Sequence, residues 1–306
     1  MDRELIRDEL KDYYNDIKED KFLRKNFYKY KELLFKLNDA RKRCFEGPLR
    51  YFPYEELIEI LKKYFEKYFG EFSDTDITAY DLSLVIDYIN ASDEETFSDR
   101  FNDINLSREE AFDLMISEAS YDYVLNDIKV INYNNLMTAL SVSHEYAHKI
   151  HNNRALNNNS IDFYIYSEYL AYYNMFLFAD YLKELGYLSD ALISLGNDYI
   201  NTNEQIRLFK IMDDVYRGIG VDDSTLEIID YNIDIGNVPL LDYAHILAYL
   251  ASKNKYEETK DMSLIERCEE LNKMFSLDIN KSNLDMVGLN IDNKELVKKY
   301  IINFSK

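Results

Sequence analysis

The 306-residue chain holds only three Pro, eight Gly and two Cys. Turn residues this few, set at long intervals, cannot punctuate the many short strands of an all-β fold, so a mainly helical fold is expected. Cys44 and Cys268 lie far apart and in no metal-binding spacing, which excludes a disulfide framework and leaves both as ordinary thiols. Basic residues are also scarce, with 36 Lys and Arg against 57 Asp and Glu and a net charge of -21. That balance repels phosphates and anionic lipid, and so argues against nucleic acid or a membrane as partner. It keeps the surface soluble and leaves room for a mild preference for basic peptides. Long apolar runs are lacking too. The longest, Tyr169 to Ala179 with Asn174 inside it, is too short to span a bilayer and reads as a buried core helix. Residues 1–8 are charged throughout and lead into no apolar stretch, so no signal peptide is expected and the cytoplasm is the expected compartment.

With 47% hydrophobic residues, the chain can bury a substantial core as one large domain or two intimate ones. Residues 2–45 read as two charged amphipathic helices ended by Gly47-Pro48. A further helix starts near Pro53 and runs to Gly70, with Leu57, Ile60, Leu61, Tyr64 and Phe65 on one stripe. Ser107 and Glu110 form a capping-box signature before another helix. Ile128 to Tyr133 alternates β-branched with polar residues and is the best strand in the chain. A helix over 135–152 follows, with the stripe Leu136, Ala139, Leu140, Ser143, Ala147 and Ile150, and the Asn-rich stretch after it ends that helix. Later helices are expected over 161–185, 188–200, 203–217, 239–253, 255–275 and 293–304, with no internal repeat.

Of the four His, three stand on the helix over 135–152. In His144-Glu145-Tyr146-Ala147-His148, the two imidazoles are one helical turn apart on one face, where they can grip one metal ion while Glu145 reaches a metal-activated water. This is an HExxH pattern, and zinc (Zn2+) is the ion it suits. His144, His148 and His151 each follow a stripe residue by one position, which places them at the edge of the buried face. His151 either orients substrate and ligands or is a satisfied structural histidine.

A catalytic zinc takes three protein ligands and leaves a position for water. Six residues after His148 stands Arg154, which excludes a third ligand of the metzincin pattern. Glu168, twenty positions after His148, is the alternative, because the loop and the return helix bring it back toward the motif. It borders the apolar run from Tyr169, where an ionised carboxylate is costly unless a cation compensates it. Glu145 is then the general base. An oxyanion donor is also needed. Tyr243, His245 and Tyr249 share one expected helix; His245, the only His outside the motif helix, is the first choice, with Tyr243 beside it, and Tyr249 suits core packing better.

The stretch Ile131-Asn132-Tyr133-Asn134 through His144-Glu145-Tyr146-Ala147-His148-Lys149-Ile150-His151, with Glu168-Tyr169-Leu170-Ala171-Tyr172-Tyr173-Asn174 after it, resembles the active-site strand and helices of the thimet oligopeptidase and oligoendopeptidase F family of gluzincins. That resemblance implies a mainly α, multi-helical zincin-like metallopeptidase with a small β element before the HExxH helix, zinc held by His144, His148 and Glu168, and Glu145 as base. It also implies oligopeptide substrates. Ala147 stands where the family usually has Gly, the interval to the third ligand is shorter, and the family's later His and Tyr pattern is matched loosely by Tyr243 to Tyr249. The chain is also shorter than is usual there.

The expectation is therefore a helical region over 1–125 and a helical zinc-binding catalytic region over 126–306, packed as one unit. Its expected function is zinc-dependent hydrolysis of peptide bonds in oligopeptides or flexible segments. The alternatives are a single-target regulatory metalloprotease of a mobile element, and a non-catalytic helical interaction protein with a structural or vestigial zinc site.

Overall fold

The computed structural model describes residues 47–92, 99–155, 161–219, 243–277 and 294–304, with Asp8, Leu37 and Leu289. The helices expected over 2–45 and the thiol of Cys44 lie outside the described residues. Within them the chain is mainly helical, with nine α-helices, one turn of 3-10 helix and a three-stranded sheet. Among the described residues no helix is long and apolar enough to cross a membrane.

Helix α1 (Tyr54–Phe69) begins after Pro53, carries Glu55 and Glu56 in its first turn, and ends on Gly70 at φ 78. It buries Leu57, Ile60, Leu61, Tyr64, Phe65 and Phe69, the expected stripe extended by one turn. Strand β1 (Ile77–Asp81) leads into α2 (Leu82–Asn90), whose first turn is capped by the Asp81 carboxylate. Next comes α3 (Arg108–Ser117), with the full Ser107–Glu110 capping box. Strands β2 (Ala119–Asp122) and β3 (Asp127–Asn132) complete the sheet in the order β1-β3-β2. β1 pairs with β3 in parallel, and β2 pairs with it antiparallel.

The strand expected over 128–133 is thus the central one, and the sheet joins β1 and β2 from before residue 126 to β3 after it. Ile128 and Val130 point into the main core, whereas Ile131 points to the other face, among Tyr80, Val85, Tyr88 and Leu114. This is the period-2 alternation of a strand covered on both sides. Helix α4 (Leu136–Arg154), capped by Asn135, lies on the main-core face. It is tied to the sheet side by the buried Lys149, which pairs with Asp76 just before β1. The Tyr146 hydroxyl accepts from the Ser73 amide at 2.8 Å.

Helix α5 (Ile161–Glu184) packs on α4 and is the centre of the helical layer. Its stretch Tyr169 to Ala179 is buried except at Tyr172. Asn174, the one polar side chain of that run, is used: its Nδ2 donates to the Ser143 carbonyl at 2.7 Å, and its Oδ1 accepts from the Tyr64 hydroxyl at 3.0 Å. Helix α6 (Leu188–Tyr216) is continuous, which corrects the expected break between 200 and 203. Helix α7 (Tyr243–Thr259) extends past the expected end at 253, and α8 (Leu264–Met274) begins at a second capping box, Ser263 with Glu266. Helix α9 (Lys294–Phe304) closes the described chain against α7. Cys268 is a buried free thiol.

Candidate metal centre

Helix α4 places His144 and His148 one turn apart, facing α5, and α5 returns Glu168 to them. His148 and Glu168 are buried, and His144 is mostly so. His144 Nε2 is 3.2 Å from His148 Nε2. Glu168 completes the cluster through both oxygens, with Oε2 at 3.3 Å from His144 Nε2 and Oε1 at 3.3 Å from His148 Nε2. A zinc ion bound tetrahedrally at about 2.0–2.1 Å holds its ligand atoms about 3.3–3.4 Å apart. The two imidazole nitrogens meet that spacing, the carboxylate approaches each of them through a different oxygen, and two imidazoles with one carboxylate are a donor set that zinc takes.

One further observation supports that fit. Glu168 Oε2 is buried, and although two imidazole nitrogens lie near it, no hydrogen-bond donor is aligned with it. Burial by itself pushes the Glu168 carboxyl up, but the imidazoles of His245, His148 and His144 hold it well below the usual carboxylate range. It is ionised, and an ionised buried carboxylate costs several kcal/mol unless positive charge faces it.

Glu145 stands next to His144 and is half-buried. Burial pushes its carboxyl up to about 7, with Glu168 adding to the rise; the imidazoles of His144 and His245 and the backbone amide of Tyr121 pull the other way. A carboxyl balanced near neutrality beside a metal-binding cluster can both take and give a proton. Tyr121 belongs to β2, an edge strand, which packs against α4.

The later candidates separate. His245 reaches the site from α7, with Nδ1 3.1 Å from Glu168 Oε2 and Nε2 2.5 Å from the Tyr164 hydroxyl. The three-donor cluster does not include it. The side chain of Tyr243 lies outside the described residues. Tyr249 is buried against Tyr172 and Phe176, with ring centroids 5.3 and 5.7 Å apart, and is a packing residue. His151 does not stand at the edge of the buried face. It is fully buried and stacked on Phe163 at 4.5 Å, and neither ring nitrogen has a partner among the described residues. It is therefore a packing residue whose ring nitrogens are not satisfied as expected of a structural histidine.

Three residues at the site escape a reading of the sequence. Ser167 bonds His148 Nδ1 at 2.7 Å, Tyr123 lies 3.5 Å from the same nitrogen, and Tyr164 braces His245. Ser167 is adjacent to Glu168 in sequence, which is the only signal that could have drawn attention to it. The two tyrosines are among 28 and carry none. Compared with protein-family models, curated proteins and solved structures, the chain has no significant match.

Proposed function

We propose that the protein is a zinc-dependent peptidase of the gluzincin type, with a zincin-like arrangement of sheet, motif helix and return helix, acting on oligopeptides or flexible segments. The observation that carries this reading is the buried cluster of His144, His148 and Glu168, whose ligand atoms all lie within 4.8 Å of one another, with the two imidazole Nε2 atoms 3.2 Å apart. Zinc bound there supplies Lewis acidity, polarising a carbonyl oxygen and acidifying a water.

The protein's own groups perform the rest. Glu145, balanced near pH 7, takes the proton of the attacking water and returns it to the leaving amine. The Tyr121 amide, which bonds its carboxylate, holds the base beside the edge of β2. An extended peptide can add to that edge through main-chain hydrogen bonds, which aligns a scissile bond without demanding particular side chains. His245, a third exposed and in contact with Glu168, is the group best placed to donate to the developing oxyanion.

The test is Glu145→Gln. That variant should keep stoichiometric zinc and lose about 10²–10⁴-fold in peptide turnover, the usual worth of a positioned base. Cleavage at the wild-type rate by the variant would sink the mechanism.

A further inference from the structure

His148 uses both of its ring nitrogens. Nε2 faces the donor cluster, 3.2 Å from His144 Nε2 and 3.3 Å from Glu168 Oε1. A nitrogen that gives its lone pair to a metal carries no proton, so the ring proton sits on Nδ1 and needs an acceptor. Ser167 Oγ is that acceptor, at 2.7 Å and fully buried. The hydroxyl of Tyr123 lies on the same nitrogen's side, 3.5 Å from His148 Nδ1. Burial, with the charge of Glu168 adding to it, pushes the Tyr123 phenol above its ordinary value, so it stays a neutral hydroxyl.

We propose that Ser167 is a positioning residue for the metal. It fixes His148 in the Nδ1-protonated form and sets its ring plane, with the Tyr123 hydroxyl as a second, longer contact at the same nitrogen. One turn of α5 therefore supplies one ligand, Glu168, and orients another. That second contact comes from the turn between β2 and β3, which thereby reaches the metal ligands at His148. Metal-bound imidazoles more often give this proton to a carboxylate or a carbonyl. A hydroxyl adds no negative charge, which leaves Glu168 as the one anionic ligand of the cluster. The proposal rests on the metal-binding part of the reading above and not on peptide hydrolysis.

The test is titration of the metal-free protein with cobalt(II), followed by visible absorption, together with zinc affinity measured against a chromophoric chelator. Ser167→Ala should weaken zinc binding by about 10–100-fold and change the position or intensity of the cobalt bands. Tyr123→Phe should weaken binding in the same direction by less. Thermal unfolding of the metal-free variants should match the metal-free wild type, which separates positioning from a general loss of packing. Wild-type affinity and wild-type bands in Ser167→Ala would overturn the proposal alone. A wild-type chain that takes up neither cobalt nor zinc would overturn the metal reading and the proposal together. Turnover of peptide is not read, so failure of the hydrolase reading is told apart from both.

Discussion

The Nε2 atoms of His144 and His148 face each other across 3.2 Å, with a buried carboxylate beside both. Two imidazole lone pairs held this close repel unless something positive lies between them. A cation shared by the three side chains would answer both nitrogens and the Glu168 carboxylate.

Metal removal should therefore destabilise the fold. A ligand that binds only the folded state adds about 4 kcal/mol when its free concentration is a thousandfold above its dissociation constant. Scanning calorimetry of zinc-loaded protein with and without a strong chelator should show a melting temperature lower by several degrees in the chelated sample. Glu168→Ala should abolish that difference, because the cluster loses a ligand. Equal melting temperatures for loaded and chelated wild type would contradict a shared cation.

The contact between His245 and Glu168 leads to a kinetic prediction. If His245 donates to the oxyanion, His245→Ala should lower kcat by about 10²–10³-fold with little change in KM. Tyr164, bonded to the opposite ring nitrogen at 2.5 Å, holds the ring in place, so Tyr164→Phe should lower kcat less and in the same direction. Steady-state kinetics on a flexible peptide separates these outcomes. A change confined to KM in both variants would assign His245 to ground-state binding instead.

The parts of the site that were legible in the sequence are those set by local geometry. His144 and His148 follow from the helical repeat. Glu168 follows from the cost of placing a carboxylate at the border of the run from Tyr169. The capping box at Ser107 reads directly, and the one at Ser263 was there to be read. β1 and β2 were not legible, since Ala119-Ser120-Tyr121-Asp122 has no β-branched residue, and its extended form comes from pairing with β3. The unbroken α6 hides behind Asn201 and Asn203, whose local preference for turns is overridden. Ser167 and Tyr123 meet only because α5 and the β2–β3 turn converge on His148, which no spacing along the chain encodes.

The buried imidazole of His151 gives a pH dependence that separates from the metal. Burial, with His148 nearby, lowers its pKa from 6.5 to about 3. Between these values the unfolded chain binds a proton that the folded chain refuses, so stability rises with pH through this window and falls on acidification below about 6.5. For one such group the slope approaches about 1.4 kcal/mol per pH unit. His151→Leu removes both the proton and two unpartnered ring nitrogens while keeping an apolar contact for Phe163. Urea unfolding in excess chelator, repeated from pH 7.5 to 5, should show the variant gaining on the wild type as pH falls below 6.5, with a constant offset above it. Chelation keeps metal binding out of the comparison in both proteins. Parallel curves across the whole range would mean that His151 takes up its proton in the folded state, which a fully buried ring with no aligned acceptor can do only if the packing against Phe163 opens.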